Sequence, residues 1–207
     1  MKQAVKYTIR LLCLLAVSPA VLCSQLQAAL MGKEKAFPGW SQLFSTIPGL
    51  SGVYLRHAFY YCILQRCDPD ASIGFGTLFS HPGAAIGRTA YIGNYCSIGD
   101  VEIGADVLIA SHVSIMNGCN QHGIDRLDVP VREQIGDYPK VKIGKDSWIG
   151  ERATVAASVG NHCVIGAGSL VLEPLPDYSV AVGVPAKVIR DRREIAAKNG
   201  NESAKTE

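Results

Sequence analysis

The sequence is poor in charge. Charged residues make up 18% of the 207 residues, and the net charge at pH 7 is +2. Nucleic-acid-binding domains normally carry a strongly basic patch, so the composition disfavours that function. With 48% hydrophobic residues, the chain is not a disordered charged tail either. Its length suits one domain, or one domain with an appendage, since domains run to roughly 100 to 200 residues.

The sequence also lacks a C-x-x-C pair. Its seven cysteines form an odd, scattered set at positions 13, 23, 62, 67, 96, 119 and 163. This spacing fits neither a disulfide framework nor a zinc ribbon. Reduced thiols in a cytosolic compartment are the simpler interpretation.

One long apolar run stands near the N-terminus, from Leu11 to Cys23, after three basic residues. A secretory signal has this form, but the small-x-small site at 18–20 lies inside the run. A membrane span needs about 20 nearly uncharged apolar residues, and Gln25 and Gln27 interrupt this one. We expect residues 1–35 to form a helix on or dipping into a membrane surface, its basic flanks facing anionic lipid. A signal peptide, a single span and a packed helix are the alternatives.

The main feature of the sequence is a period of six. An aliphatic residue, usually followed by glycine, recurs at this interval at positions 73, 86, 92, 98, 103, 109 and 115, then at 143, 149, 155, 159, 165 and 171. Such a period is typical of a β-solenoid, in which each short strand is one side of a coil. We therefore predict an all-β solenoid over residues 71–185, with about four to five turns and a height of about 20 Å.

Two positions of each hexad are expected to point inward. The second is a small residue four positions after the aliphatic one, at 77, 90, 96, 107, 113, 119, 147, 153, 163 and 169. Glycine after the aliphatic residue would supply the positive φ or the close backbone approach that each corner requires. A sandwich of ordinary strands would show turn signals every 8 to 12 residues, and this sequence does not.

Two segments fall outside the repeat. Residues 36–70 read as a helical leader, with an apolar helix over residues 53–67 that would cap the first coil or form a platform at a membrane. Residues 117–141 leave the solenoid as an excursion loop rich in polar residues. Loops of this length are uncommon unless they are functional.

These residues resemble the hexapeptide-repeat acyltransferases, in particular the polysaccharide, galactoside and antibiotic O-acetyltransferase branch. The resemblance covers about residues 71–190 and rests on five features: the repeats, the loop after 115–118 that contains His122, and the segments 147–150, 165–169 and 183–189. It implies a left-handed parallel β-helix, a homotrimer with active sites in the clefts between subunits, and a short helix and tail within residues 186–207.

The same resemblance implies an acetyl-CoA-dependent O-acetyltransferase that acts on a carbohydrate hydroxyl in surface or exopolysaccharide biosynthesis. Its catalytic residue would be His122, since imidazole is a suitable general base near neutral pH. Coenzyme A would lie against Trp148, Gly150, Ala167, Gly168, Ser169, Pro185 and Lys187. Acceptor contacts would come from Asn117, Asn120, Asp125 and Asp100, and no metal is expected. Since acetyl-CoA is cytosolic, we expect the protein at the inner face of the cytoplasmic membrane.

Other functions stay open from the sequence. Within the transferase class, an antibiotic, serine or an amino sugar is the alternative to a carbohydrate acceptor. A zinc carbonic anhydrase of the same fold would gather His81, His112 and His122 between subunits, although the gaps between them do not resemble that family's pattern. Cys119 beside the loop would permit a covalent acyl-enzyme, but we expect Cys96, Cys119 and Cys163 to be packed inward. A catalytically silent scaffold is the last alternative.

Overall fold

Three helices form the N-terminal part of the protein. The computed structural model describes residues 2–203, so residue 1 and the predicted tail residues 204–207 lie outside the described part. Helix α1 spans Lys2–Met31, α2 spans Lys33–Ser45 and α3 spans Gly49–Ile63. The helices pack through aromatic side chains, among which the rings of Phe44 and Phe59 stack at 4.1 Å. This helical cap is continuous with the core of the solenoid that follows.

Short parallel strands then build three faces of a left-handed β-helix. Face A consists of β1 (Arg66–Cys67), β4 (Ala85–Ile86), β7 (Val101–Ile103) and β10 (Val141–Ile143). Face B consists of β2 (Ser72–Ile73), β5 (Tyr91–Ile92), β8 (Leu108–Ile109), β11 (Trp148–Ile149), β13 (Val164–Ile165), β15 (Ser179–Gly183) and β16 (Ala186–Asp191). Face C consists of β3 (Leu78–Phe79), β6 (Ser97–Ile98), β9 (Ser114–Ile115), β12 (Thr154–Val155) and β14 (Leu170–Val171).

The solenoid has about six turns rather than the predicted four to five. It begins earlier than expected, because Arg66 and Cys67 pair in parallel with Ala85 and Ile86. Within the predicted range, single bridges at Val159 and Leu175 add two further levels to face A after β10. Six turns at about 4.8 Å each give a prism about 29 Å tall.

The period of six correctly predicts the core. The aliphatic positions of the hexads are buried, with exposed fractions of 0 to 2% at Ile73, Ile92, Ile109, Ile149 and Ile165 and at their equivalents along the coils. Among the small positions, Cys96 and Cys163 are buried as expected. Cys119 is the exception: it is exposed, because the chain has already left the coil at Asn117.

Two features of the backbone shape the corners of the coils: a positive φ at one position and close approach at another. Positive φ falls on the third residue after the aliphatic one, as at Tyr95 (56°) and His112 (59°), and not on the glycines of the aliphatic-glycine pairs. Those glycines instead allow close backbone approach between coils. A Cβ on Gly93 would lie 2.6 Å from the carbonyl carbon of Ala110 in the next coil. Close approach is therefore what the repeated glycine supplies.

Arg56 of α3 fastens the cap to the first coil. Its side chain is fully buried. The guanidinium donates from Nε to the Ile73 carbonyl, and from Nη1 to carbonyls at the end of α2, those of Phe44, Ser45 and Ile47. A helix C-terminus carries unsatisfied carbonyls and partial negative charge, so a cation is a suitable partner there. Burial lowers the pKa of Arg56.

The predicted short C-terminal helix, α4, is present, but it begins only at Arg192 and spans Arg192–Ser203. The preceding residues Ala186–Asp191 form β16, which pairs antiparallel with β15. Gly183, at a φ of 105°, and a two-residue connection reverse the chain between the strands. The β-branched residues of β16 favour a strand.

Candidate functional site

The excursion loop is joined to the solenoid by the side chain of Asn117. Asn117 is buried; its Oδ1 accepts from the Asp100 N–H (2.9 Å) and its Nδ2 donates to the Asp100 carbonyl (2.8 Å). The same Nδ2 donates to the carbonyl of Pro139 (3.1 Å), where the loop returns. One side chain thus ties both ends of the loop to the coil below.

Lys140 closes the same corner, between faces C and A. Its Nζ lies 3.1 Å from Oδ1 of Asp100 and donates to Oε1 of Gln65 (2.9 Å) and to the carbonyl of Gly83 (2.7 Å). These partners belong to three successive levels of the solenoid. We call Asn117, Asp100 and Lys140 the loop clamp.

These contacts give Asn117 and Asp100 a structural role at the base of the loop. Both amide hydrogens of Asn117 are held by backbone carbonyls, and Oδ1 of Asp100 faces Lys140. Their expected contacts with the acceptor stay a prediction. Lys140 was not among the predicted residues, although its place directly before the resumed repeat at Val141 was a signal.

The two legs of the loop run close together beside His122. A Cβ on Gly136 would lie 2.0 Å from the carbonyl oxygen of Gln121 and 2.6 Å from the backbone nitrogen of His122. Next to this contact, the N–H of Asp137 donates to the carbonyl of Asn120 at 2.7 Å. Only glycine at position 136 allows the backbones to approach this closely. The backbone that carries His122 is thus fixed from the opposite leg.

Gln134 orders the outer part of the loop. Its Nε2 donates to the carbonyls of Arg126 (2.7 Å) and Val129 (2.9 Å), and its Oε1 accepts from the N–H of Arg126 (3.1 Å). A short 3-10 turn at Val131–Glu133 precedes it. The loop is therefore a hydrogen-bonded unit.

His122 is exposed on this loop, and its ring lies 6.5 Å from that of Tyr138, edge to face. Asn120 and Asp125 are exposed as well. An accessible imidazole on an anchored backbone suits a general base. Tyr138, the aromatic neighbour of His122, was not among the predicted site residues.

The predicted coenzyme A residues lie mainly on face B and at its later corners. Trp148 is 49% exposed on β11 and stands in register with Leu108 of β8, which in turn pairs with Tyr91 of β5. The outer side of face B therefore carries an exposed apolar ladder of Tyr91, Leu108 and Trp148. After β11, a Cβ on Gly150 would lie 2.5 Å from the backbone nitrogen of Ala167, so glycine is required for these coils to stack.

The corner at Gly168 is open. Gly168 has a φ of 67°, and a Cβ there would meet nothing within 4 Å. The backbone N–H groups of this residue and the next bond within the solenoid, since the Gly168 N–H donates to the carbonyl of Glu151 and the Ser169 N–H donates to that of Gly166. Ser169 is buried, and its Oγ accepts from the N–H of Gly183. The contacts of Gly168 and Ser169 with coenzyme A stay a prediction.

The final hairpin supplies the other two predicted residues. Pro185 lies exposed in the connection between β15 and β16, and Lys187 is exposed on β16 opposite Val182. Lys187 belongs to the same sheet as Trp148. The loop with His122, by contrast, leaves from face C and returns to face A. The predicted catalytic and coenzyme A residues of one chain thus lie on different sides of the prism.

The other candidates for metal or thiol chemistry are dispersed. His81 bonds through Nδ1 to Glu34 at 2.8 Å, and His112 stacks on Tyr95 at 5.2 Å. Across the described residues, no group of three His, Cys, Asp or Glu side chains is placed to hold a metal ion. Burial raises the pKa of Cys96 and Cys163, which suits structural rather than nucleophilic thiols.

Relatives of the chain are acetyltransferases. A Mycobacterium tuberculosis protein named as an acetyltransferase is 35% identical over 126 residues, covering 56% of this chain and 40% of that protein. The serine acetyltransferase of Bacillus subtilis is 31% identical over 165 residues, covering 76% of this chain and 71% of that enzyme. An Escherichia coli protein named for O-acetyl transfer in lipopolysaccharide biosynthesis, WbbJ, is 33% identical over 126 residues, covering 58% of this chain and 63% of that protein. The chain thus spans less than two thirds of the length of the Mycobacterium tuberculosis protein and of WbbJ.

Solved structures share the fold. A maltose O-acetyltransferase from Clostridium difficile 630 matches with a TM-score of 0.66 and 23% identity, over 76% of this chain and 87% of that one. A galactoside acetyltransferase in complex with coenzyme A matches with a TM-score of 0.60 and 23% identity, over 80% of this chain and 84% of that one. No protein-family model matches the chain.

Fold and relatives together define the class of protein, an acyltransferase built on a β-solenoid. Three observations narrow this class to one family. The sequence has a period of six, the coils are left-handed, and a serine acetyltransferase aligns with most of both chains. The chain belongs to the hexapeptide-repeat acetyltransferases.

Proposed function

We propose that this protein transfers an acetyl group from acetyl-CoA to a hydroxyl group of a carbohydrate in surface or exopolysaccharide biosynthesis. The observation that carries the proposal is the anchored, exposed His122 on a loop whose two ends are clamped to the solenoid. The likeness to WbbJ, named for O-acetyl transfer in lipopolysaccharide biosynthesis, supports the acceptor class.

In the proposed reaction, His122 removes the proton of the acceptor hydroxyl as its oxygen attacks the thioester carbonyl. The tetrahedral intermediate collapses with loss of the coenzyme A thiolate, and the imidazolium of His122 returns the proton to that sulfur. The new ester bond thus replaces the thioester bond, and His122 ends neutral. Asn120 and Asp125, both exposed on the same loop, are proposed to hydrogen-bond the acceptor.

Coenzyme A is proposed to lie along face B and its later corners. The residues present fit such a group: Trp148 offers an exposed indole, the corner at Gly168 is open, and Lys187 is exposed in the same sheet to meet phosphate. Gly150, Ala167 and Pro185 would shape the walls, and Ser169 supports the hairpin from within. Bound there, the coenzyme supplies the activated acetyl thioester.

The two parts of the site lie on different sides of one prism, so we propose that a neighbouring copy completes it in a homotrimer. The exposed ladder of Tyr91, Leu108 and Trp148 on face B is a suitable contact surface, because it is apolar and continuous along three coils. Sedimentation of the full chain tests the trimer, and a monomer with full activity would contradict it.

A second acceptor has its own support. Serine acetyltransferase of Bacillus subtilis aligns with 76% of this chain, so serine is the alternative acceptor. The test is an acetyl-CoA assay against serine, sugar nucleotides, lipid-linked sugars and polysaccharides, with release of coenzyme A and product mass as readouts. Acetylated saccharide as the preferred product supports the proposal, whereas preferred acetylation of serine would replace it.

The protein is further proposed to act at the inner face of the cytoplasmic membrane. Helix α1 includes a segment, Val5–Met31, long and apolar enough to cross a membrane by length and composition, and little of it is buried. A cytoplasmic position would give the site access to acetyl-CoA and to membrane-borne acceptors.

A further inference from the structure

Helix α1 has two different sides. Val17 and Ser24 are buried, and Cys13, Leu14 and Val21 pack against the core. These contacts hold α1 against the rest of the cap. To cross a bilayer or be cleaved off, α1 would have to leave these contacts and expose the core of the cap.

The opposite side of α1 is exposed and apolar. Six leucines there have exposed fractions of 48 to 87%: Leu11, Leu12, Leu15, Leu22, Leu26 and Leu30. Residues 11–31 contain no charged side chain. We call these six residues the leucine face. A continuous apolar patch of this kind marks an interaction surface.

The width of the leucine face indicates its partner. At about 100° per residue, its leucines spread over about 100° of the helix circumference. A partner helix in a coiled coil would cover a narrower seam of two positions per heptad. A broad apolar face on a helix otherwise fixed to its protein fits a flat lipid surface.

Charge at the C-terminal end of α1 agrees with a lipid partner. Lys33 and Lys35 are exposed just beyond this end, and with Glu34 between them they leave one positive charge in excess. Basic residues beside an apolar helix face favour anionic lipid. At the N-terminal end, Lys6 and Arg10 lie on the packed side of α1, where both bond to the carboxylate of Asp70 at 2.9 and 2.7 Å.

We infer that the leucine face of α1 binds an anionic membrane surface, with the helix lying in the plane of the interface and still packed on the cap. This deepens the proposed membrane location and rests on it, but it does not depend on the acceptor. The salt bridges from Lys6 and Arg10 to Asp70, just before β2, set the orientation of α1 to the first coil. The membrane would thereby hold the solenoid in one fixed orientation.

The experiment is flotation of the full chain with vesicles of phosphatidylglycerol and phosphatidylcholine. The triple variant Leu22→Ser/Leu26→Ser/Leu30→Ser is expected to lose at least about tenfold in vesicle affinity, since three apolar side chains no longer enter the lipid. Leu127→Ser is the matched control, because Leu127 is fully exposed in the excursion loop; its affinity is expected to stay unchanged. Circular dichroism and thermal unfolding check that the variants fold.

Two results would overturn the inference. One is wild-type protein that stays in the soluble fraction with anionic vesicles. The other is a dimer of the wild type that the triple variant no longer forms, together with no binding to vesicles. That result would make a second copy of the chain the partner of the leucine face. Soluble acceptors and acetyl-CoA test the transferase separately: activity without vesicle binding would overturn only the membrane inference, and vesicle binding without activity only the proposed reaction.

Discussion

The side chain of Asn117 pairs with the backbone of Asp100 as a neighbouring strand would. It accepts from the Asp100 N–H and donates to the Asp100 carbonyl, two residues beyond the strand pair that ends at Ile98 and Ile115. Although the chain leaves the coil at this point, the N–H and the carbonyl of Asp100 in the coil below therefore keep hydrogen-bond partners. Unpaired backbone groups would be costly in a buried position. This is how the solenoid tolerates a long excursion loop at one corner.

Asn117→Ala tests the loop clamp. The substitution removes three hydrogen bonds from a buried position, so we expect a loss of about 1–3 kcal/mol in unfolding free energy, together with lower acetyl transfer because the loop is no longer held. Urea unfolding and initial rates measure the two effects. Asn120→Ala is the control, since Asn120 is exposed, and it should unfold like the wild type. Equal stability of Asn117→Ala would show that the clamp does not anchor the loop.

Gly93→Ala tests the close approach of coils. The new methyl carbon would lie 2.6 Å from the Ala110 carbonyl carbon and 2.8 Å from its oxygen, so adjacent coils must separate. We expect a cost of about 1–3 kcal/mol, as for other overpacked interiors. Gly39→Ala in α2 is the matched control, because a Cβ there meets nothing within 4 Å; it should be neutral or stabilising by about 0.5–1 kcal/mol. A neutral Gly93→Ala would contradict the packing described here.

Thiol labelling tests the assignment of the cysteines. Burial, with the nearby charge of Asp68, raises the pKa of Cys67 to about 12, so at pH 8 only about one part in ten thousand is thiolate. We expect iodoacetamide to modify the exposed Cys23, Cys62 and Cys119 in the native protein. Cys67, Cys96 and Cys163 should react only after denaturation. Peptide mass spectrometry reads out each site, and native labelling of Cys163 ahead of Cys119 would contradict the structure.

Acid should loosen α1 from the solenoid. Hydrogen bonds from Arg10, and then from Lys6, lower the pKa of Asp70 to about 2. A depressed carboxyl pKa contributes stability above the unfolded value of about 3.9, and this contribution is lost as pH falls toward 2. Hydrogen-exchange protection of α1 should thus be constant from pH 7 to 5 and decrease between about pH 4 and 2. The effect is expected to be small, because the pair is partly exposed.

Asp70→Asn provides the control for that acid effect. The amide keeps the shape of the side chain but cannot titrate, so the protection of α1 should be lower at neutral pH and lose this step at low pH. An unchanged pH profile in Asp70→Asn would assign the acid effect to another group.

The sequence predicts the solenoid well, because its period is a packing rule. Each aliphatic residue, such as Ile73 or Ile109, packs into the interior of its own coil. The same short pattern is therefore repeated in every coil and can be recognised in the sequence. The candidate site is less predictable. The roles of Asn117 and Lys140 depend on partners from other coils, Asp100 and Gly83, which only the stacked register brings together.

The two ends of the chain illustrate the same limit. The short helix expected within residues 186–207 begins only at Arg192, because the turn at Gly183 brings residues 186–191 onto the edge of β15. For α1, the hydrophobic run was clear from the sequence. Its packed side was not, because the partners lie in α2 and α3.

The proposed function depends most on His122 as the general base. It is tested most directly by the steady-state rate of acetyl transfer from acetyl-CoA to the best acceptor for wild type and His122→Ala, with the fold of both checked by circular dichroism. We expect a drop in kcat of about 10²- to 10⁴-fold for His122→Ala, with little change in the KM for acetyl-CoA, whose proposed contacts lie on face B. Transfer at the wild-type rate by His122→Ala would contradict it.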